Sequence, residues 1–261
     1  MNPSPTTPAR PAIEMHGVSV GAIRDLDMLV LEDVNWSVAP GEFWVIGGLQ
    51  GAGKSNFLMM TSGLMPPTAG TYCFFGGEMP IFEEERLKER LRLGFVFEGG
   101  RLFNHLTVAE NISLPLRYHQ NLNKSRVAVE VQRMLELTGL TPWADSTPGA
   151  MVRNWQKRVG LARALMLRPE VLLLDNPLAG LDMQHRGWWL DFLEQLSKGH
   201  EWLNARPATL VVTADDLRPW RNRARHFGVL KDKRFTVLGT REQLEMAGDG
   251  LARELLASAT A

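Results

Sequence analysis

Cysteine is nearly absent. Cys73 is the only one in 261 residues, so no disulfide can form within the chain, which suits a reducing compartment. Net charge is lacking too. Lys plus Arg number 29 and Asp plus Glu 29, so no overall field draws the chain to nucleic acid or acidic lipid. No apolar run approaches the ~20 residues that cross a bilayer, and any role at a membrane must come from docking on a partner. Residues 1–11 are rich in Pro and Thr, without a basic stretch leading into an apolar one. They are read as a flexible tail, not a signal peptide. Internal repeats are missing as well. What remains is an ordinary globular composition, 44% hydrophobic and 22% charged, suited to one large α/β domain or to a domain with a small appendage.

Against these absences stands Gly48-Leu49-Gln50-Gly51-Ala52-Gly53-Lys54-Ser55, which fits G-x-x-x-x-G-K-[ST] at every position. The apolar run Phe43-Trp44-Val45-Ile46 before it reads as a buried strand, and Asn56-Phe57-Leu58-Met59-Met60 after it as the first turns of a helix. In that context the glycines let backbone N–H groups point at phosphates, at the positive end of a helix dipole. Lys54 then reaches the β/γ-phosphates and the Ser55 hydroxyl can ligand Mg²⁺. The chain should bind a nucleoside triphosphate through residues 48–56.

Residues 12–46 alternate apolar and polar in short runs and read as antiparallel strands leading into the loop. Gly63 to Pro67 stops the loop helix, and Gly70 to Gly76 is another strand. Glu83 to Arg92 is a charged helical run with a solvated face. Leu93 to Phe97 is a short strand ending at Glu98. Residues 106–140 are helical with a break at Asn121-Leu122-Asn123, and Gln156 to Leu167 is a helix stopped before Pro169. Val171-Leu172-Leu173-Leu174 and Leu210-Val211-Val212-Thr213 are fully apolar strands, the first closed by Asp175. Apolar strands alternating with helices imply a parallel sheet covered on both faces. A carboxylate ending a buried strand downstream of a phosphate loop suits the Mg²⁺ sphere, which singles out Asp175.

With those residues in place, the chain resembles ATP-binding-cassette (ABC) ATPases. Gly48–Ser55 looks like their Walker A loop, Val171–Asp175 like Walker B and Ala179-Gly180-Leu181-Asp182 like the D-loop. Arg158 to Leu165 looks like the helix after their signature. The resemblance covers residues 12–246. It implies a P-loop NTPase fold with a RecA-like parallel-sheet core, an N-terminal antiparallel β subdomain and a helical signature subdomain at about 99–167, then a C-terminal helix or tail at 247–261. It also implies ATP and Mg²⁺ as cofactors, with Gly48, Gln50, Gly51, Ala52, Gly53, Lys54, Ser55 and Asn56 on the nucleotide and Ser55, Asp175 and Glu98 on the metal. Leu102 to Arg117, with Gly239 to Leu244 and Leu251 to Leu256, is similar to ATPases of Mla/Mce-type lipid transporters. The implied partners are a membrane-spanning subunit docking near residues 98–110 and a second ATPase chain, identical or different. The implied location is cytoplasmic, on the inner face of the cell membrane.

The departures from that family fall on hydrolysis. Where it has a glutamate after the Walker B Asp, this chain has Asn176, which can orient a water but cannot take its proton. The switch histidine position is Ala214, and His226 lies too far along to replace it. The Leu-Ser-Gly-Gly signature aligns with Met151-Val152-Arg153-Asn154, which loses a hydroxyl and two glycines; Arg153 reads as a cationic clamp or, more simply, as a surface or blocking residue. Glu98 stands at the family's Q-loop glutamine. No aromatic lies between His16 and Trp36 to stack on adenine, which leaves Val20, Ile23 or Arg24. The expected pattern is binding without efficient turnover. The alternatives are a slow but working transport ATPase, with Glu98 or Asp215 as base, and a non-transport ABC-type protein. Two further features carry no nucleic-acid expectation: the basic run from Arg218 to Arg234 reads as a solvated surface, and of Trp188-Trp189 only one can point squarely into a core.

Overall fold

The computed structural model describes residues 10–79, 84, 86–120, 122–246 and 250–256. Most of the tail expected at 1–11, part of the charged run at 83–92, and Asn121 lie outside them. In chain order the described residues form strands β1 (Ile13–Ala22), β2 (Asp25–Val38) and β3 (Phe43–Gly47), then helix α1 (Lys54–Thr61). Strands β4 (Ala69–Phe74) and β5 (Gly77–Glu78), helix α2 (Leu87–Arg90) and strand β6 (Leu93–Val96) follow. A helical stretch comes next, with α3 (Val108–His119), α4 (Lys124–Thr138) and α5 (Arg153–Leu165). The chain then returns as β7 (Val171–Leu174), α6 (Met183–Lys198) and β8 (Thr209–Ala214). It closes with β9 (His226–Lys231), β10 (Arg234–Thr240), α7 (Arg241–Met246) and α8 (Gly250–Leu256).

Two sheets result. The larger has the order β10-β9-β3-β8-β7-β6, parallel from β9 to β6, with β10 added antiparallel. Its central strands β3, β7 and β8 are buried along their whole length, which explains their unbroken apolar sequences. The smaller sheet, β2-β1-β4-β5, is antiparallel and half-exposed, so β2 alternates. One face of the large sheet packs with the small sheet around α1, where Trp36, Phe57 and Phe235 meet ring to ring. The other face packs on α3–α6 through Ile112, Leu135, Leu161 and Trp189.

Helix starts follow capping chemistry. Thr107 accepts from the Glu110 N–H while the Glu110 carboxylate accepts from the Thr107 N–H, a reciprocal box that opens α3. Asn123, at the expected break, caps α4 through the Arg126 N–H. Helix α5 begins at Arg153, three residues before the expected start, with uncapping Val152 ahead of it. The C-terminal segment is not loose where described. The Leu255 side chain is buried against Gly47 and Leu217, and its carbonyl accepts from the Leu217 N–H at 3.1 Å.

Strand order decides where chemistry can occur. Strands β3, β8 and β7 are neighbours and run the same way, so the segments leaving their C-terminal ends converge at one edge of the sheet. Those segments are residues 48–53, Asp215 and Asp175–Asn176.

Candidate functional site

The loop after β3 needs two left-handed residues, Gly51 at φ 85° and Gly53 at φ 90°, a conformation that a β-carbon disfavours. A β-carbon at Gly51 would meet nothing within 4 Å, so the loop's outer rim faces open space. At Gly48 it would press on Ala52 and on the Leu230 carbonyl at 3.2 and 3.1 Å, so Gly48 and Ala52 shape the turn itself. Helix α1 then starts at Lys54 with Gly53 as cap and no side chain bonded to its first N–H groups. That is the usual geometry of an anion cradle. Lys54 is only 8% exposed, and its ammonium donates to the Gly48 and Leu49 carbonyls at 2.6 and 2.8 Å. It also pairs with Asp215 Oδ1 at 2.7 Å.

Across the cleft, Asp175 is buried at the end of β7. Thr213 Oγ1 donates to Asp175 Oδ1 at 3.0 Å and accepts from the Asn176 N–H at 3.0 Å, so one hydroxyl fixes both neighbours. Asn176 is left-handed at φ 43°, which amide side chains tolerate better than most. Its Nδ2 donates to Asp215 Oδ2 at 2.7 Å. Lys157 of α5 is buried below, donating to the carbonyls of Ala179, Pro177 and Asn176 at 2.6, 3.3 and 3.4 Å. Burial pushes its ammonium pKa below the ordinary value, and the Glu98 and Asp175 carboxylates pull it back.

These groups line two adjoining clefts. One, of about 250 Å³, is bounded by Gln50, Gly51, Gly53, Lys54, Ser55 and Asn56 together with Glu98, Asp175, Asn176 and Asp215. The other, of about 470 Å³, shares Ser55, Glu98 and Asp175 and adds Ile23, Arg153 and Lys157. Together they match the size of ordinary small-molecule sites. Ser55, Asp175 and Glu98 therefore do come together. No group of three or more His, Cys, Asp or Glu side chains among the described residues could hold a metal alone. That donor set fits Mg²⁺, which takes one or two protein oxygens and completes its shell with phosphate oxygens and water.

The base side differs from expectation. Val20 is fully buried in the β1 core and cannot touch a ligand, whereas Ile23 is 49% exposed at the second cleft. Arg24 is exposed in the β1–β2 turn. Val30, which the sequence reading passed over, packs 3.5 Å from a β-carbon built on Gly53 and lines the first cleft.

The structure places the positions that the sequence reading took as vacated in three different settings. Ala214 ends β8 opposite Gly47 and offers only a methyl. His226 stacks on Trp44 at 4.9 Å and approaches Glu42, towards the far end of β3 from the loop. Of residues 151–154, Met151 is buried and Val152 is 64% exposed. Arg153 is exposed at the mouth of its own chain's second cleft. Asn154 Nδ2 donates to Asp182 Oδ2 at 3.0 Å. Asp182 in turn caps α6 through the His185 N–H and meets His185 Nδ1 at 2.8 Å; these bonds hold its carboxyl below the usual range.

A third feature lies beside Glu98. A groove of about 520 Å³ runs between β6 and α3, lined by Phe95, Phe97, Phe103, Leu114 and Tyr118, with the last two aromatics exposed at its rim in Phe103 and Tyr118. Buried Asn111 fixes its outer loop, accepting from the Phe103 N–H and donating to the carbonyls of Phe103, Leu106 and Thr107. Elsewhere, three residues of the basic run form ion pairs: Arg218 with Asp216, Arg223 with Asp191 and Glu194, Lys233 with Glu32. Trp189 is core, and Trp188 stacks on Phe192 and under Arg158, whose pKa burial lowers to about 10.

Comparison with known proteins agrees with this geometry. The family profile described as ABC transporter matches residues 31–179. The probable ribonucleotide transport ATP-binding protein mkl of Mycobacterium leprae is 32% identical over 94% of this chain and 68% of its own length. The intermembrane phospholipid transport system ATP-binding protein MlaF of Escherichia coli is 28% identical over 87% of this chain and 82% of its own. Among solved structures, the dimeric MJ0796, a bacterial ABC transporter cassette, superposes with a TM-score of 0.74 at 27% identity, covering 85% of this chain and 95% of that one. Among the described residues no helix is long and apolar enough to cross a membrane.

Proposed function

The chain belongs to the ABC transporter family as an ATP-binding subunit, and from that premise we propose that it binds Mg·ATP with impaired or absent hydrolysis. One observation carries the proposal. Lys54, Ser55 and Asp175, which would hold nucleotide and metal, share a cleft, while Asn176, Ala214 and residues 151–154 bring to it neither the family's glutamate, nor its imidazole, nor its glycine pair. When bound, Mg²⁺ would supply charge neutralisation at the phosphates, held by Ser55 and Asp175 with Glu98 beside them. Lys54 and the first-turn N–H groups of α1 orient the anion. Asn176 can hold a water through its amide but cannot accept a proton from it. The direct test is Mg·ATP affinity with single-turnover phosphate release, using Lys54→Ala as control.

The transported class we propose is lipid, of the Mla/Mce type. Support comes from the E. coli phospholipid-transport relative and from the similarity of residues 102–117. A membrane-spanning subunit would insert an apolar helix between Phe103 and Tyr118, in the groove next to residues 98–110, and this chain would lie on the cytoplasmic side of the membrane. A second ATPase chain, identical or different, would complete the assembly, as in the dimeric cassette it resembles. Copurification with a membrane subunit, lost on Phe103→Glu, tests the docking. A slow but active ATPase is the second reading, favoured by the Asp215 carboxylate in the cleft. Lys54-dependent phosphate release that disappears in Asp215→Asn would establish it.

A further inference from the structure

We infer that Asp215 occupies the phosphate position of the cleft and competes with bound nucleotide for Lys54, so that this carboxylate sets the affinity of the site. The inference rests on the nucleotide-site reading above. An ammonium has three donors. Those of Lys54 go to two carbonyls of its own loop and to Asp215 Oδ1 at 2.7 Å. A charge as buried as Lys54 needs a counter-charge, and Asp215 provides it. The carboxylate itself is 48% exposed and stands just past the end of β8, so it can turn out into water when a phosphate arrives. Its second oxygen holds the Asn176 amide at 2.7 Å, so the same residue also immobilises the side chain at the vacated base position. The segment behind it is anchored: the Leu217 N–H donates to the Leu255 carbonyl, and Leu255 is buried against Gly47. Packing from the C-terminal helix thus holds the backbone that carries Asp215, while its side chain stays free to turn.

A phosphate reaching Lys54 must exchange one anion for another and then sit next to the displaced carboxylate. Removing the charge at residue 215 removes both penalties, and retaining it in a longer side chain retains them. Displacement also releases the Asn176 amide towards the ligand.

The test is Mg·ATP titration of the whole chain at low salt, in wild type, Asp215→Asn, Asp215→Glu, Lys54→Ala and the Asp215→Asn/Lys54→Ala double variant. Thermal melting confirms that each is folded, and Asp215→Ser stands in should the Asn variant fail that check. The expected result is that Asp215→Asn binds about tenfold more tightly than wild type. Asp215→Glu stays near wild type, and adding Lys54→Ala to Asp215→Asn cancels the gain. Lys54-dependent binding in Asp215→Asn alone, with wild type too weak to measure, supports the inference equally. Lys54-dependent binding by wild type that is unchanged or weaker in Asp215→Asn overturns it and leaves the nucleotide-site reading standing. Absence of binding in every variant overturns both.

Discussion

Replacing Gly160 by Ala should destabilise the protein, although it puts the better helix former into α5. A β-carbon there would lie 2.8 Å from Gly100 Cα and 3.2 Å from its carbonyl oxygen, where carbon contacts normally rest at about 3.5–4.0 Å. The obstacle is backbone, and it is pinned. Gly100 sits at φ 76°, a β-carbon on it would meet the Gln156 carbonyl at 2.7 Å, and Arg163 donates to the Gly100 and Arg101 carbonyls at 2.9 Å each. Overpacking of this kind costs about 1–3 kcal/mol, against a gain of about 1 kcal/mol from helix propensity, so a net loss of about 1 kcal/mol is expected. Gly187 in α6 is the internal control, because a β-carbon there meets nothing within 4 Å. Gly187→Ala should stabilise by about 0.5–1 kcal/mol. In a chain of this size each kcal/mol moves Tm by about 2–4 °C, so thermal melting should show the two variants on opposite sides of wild type. A Gly160→Ala protein that melts at or above wild type would refute the steric argument. The same contact links α5 to the segment that follows Glu98, so the strain would also displace a residue of the candidate site.

Two further outcomes are expected. Restoring the missing groups with Asn176→Glu and Ala214→His should raise single-turnover phosphate release by about 10²-fold; an unchanged rate would show that these positions do not limit hydrolysis. Acid should erase the contribution of Glu170. The hydrogen bond from Arg92, at 2.6 Å, holds the Glu170 carboxyl below its ordinary 4.5, so its stabilisation is present above about pH 4.5 and is lost as pH falls through the lowered folded value. Because the pair is about one-third exposed, it is worth under about 1 kcal/mol. Urea unfolding should show Glu170→Gln less stable than wild type at pH 7 and equal to it in strong acid; a gap that persists there would contradict the assignment.

The parts of the fold legible in sequence were those specified by local pattern. The unbroken apolar runs of β3, β7 and β8 announce strands buried on both faces, and Asn121-Leu122-Asn123 announces the break ahead of α4. The phosphate loop is legible because its glycines answer a backbone requirement at fixed spacing. Pairings set by strand order were not. That Asp215 would meet Lys54 follows only once β8 lies beside β3, and that Thr213 would bridge Asp175 and Asn176 only once it also lies beside β7. Alternation in β1 shows that Val20 has a face but not that the face is the core, so Val20 was put forward as a contact and Val30 was passed over. Asn111 and Lys157 are polar residues on helices, and only their burial reveals that they hold carbonyls. A polar side chain interrupting an apolar helical stripe was the one signal available for either.

The central claim is that this cleft binds nucleotide without turning it over efficiently. Mg·ATP binding and single-turnover phosphate release, measured together on the purified protein and on Lys54→Ala, test it most directly. The account predicts binding that Lys54→Ala abolishes, with little or no phosphate released. Rapid release that depends on Lys54 would contradict it and would mean that other residues have taken over the vacated positions.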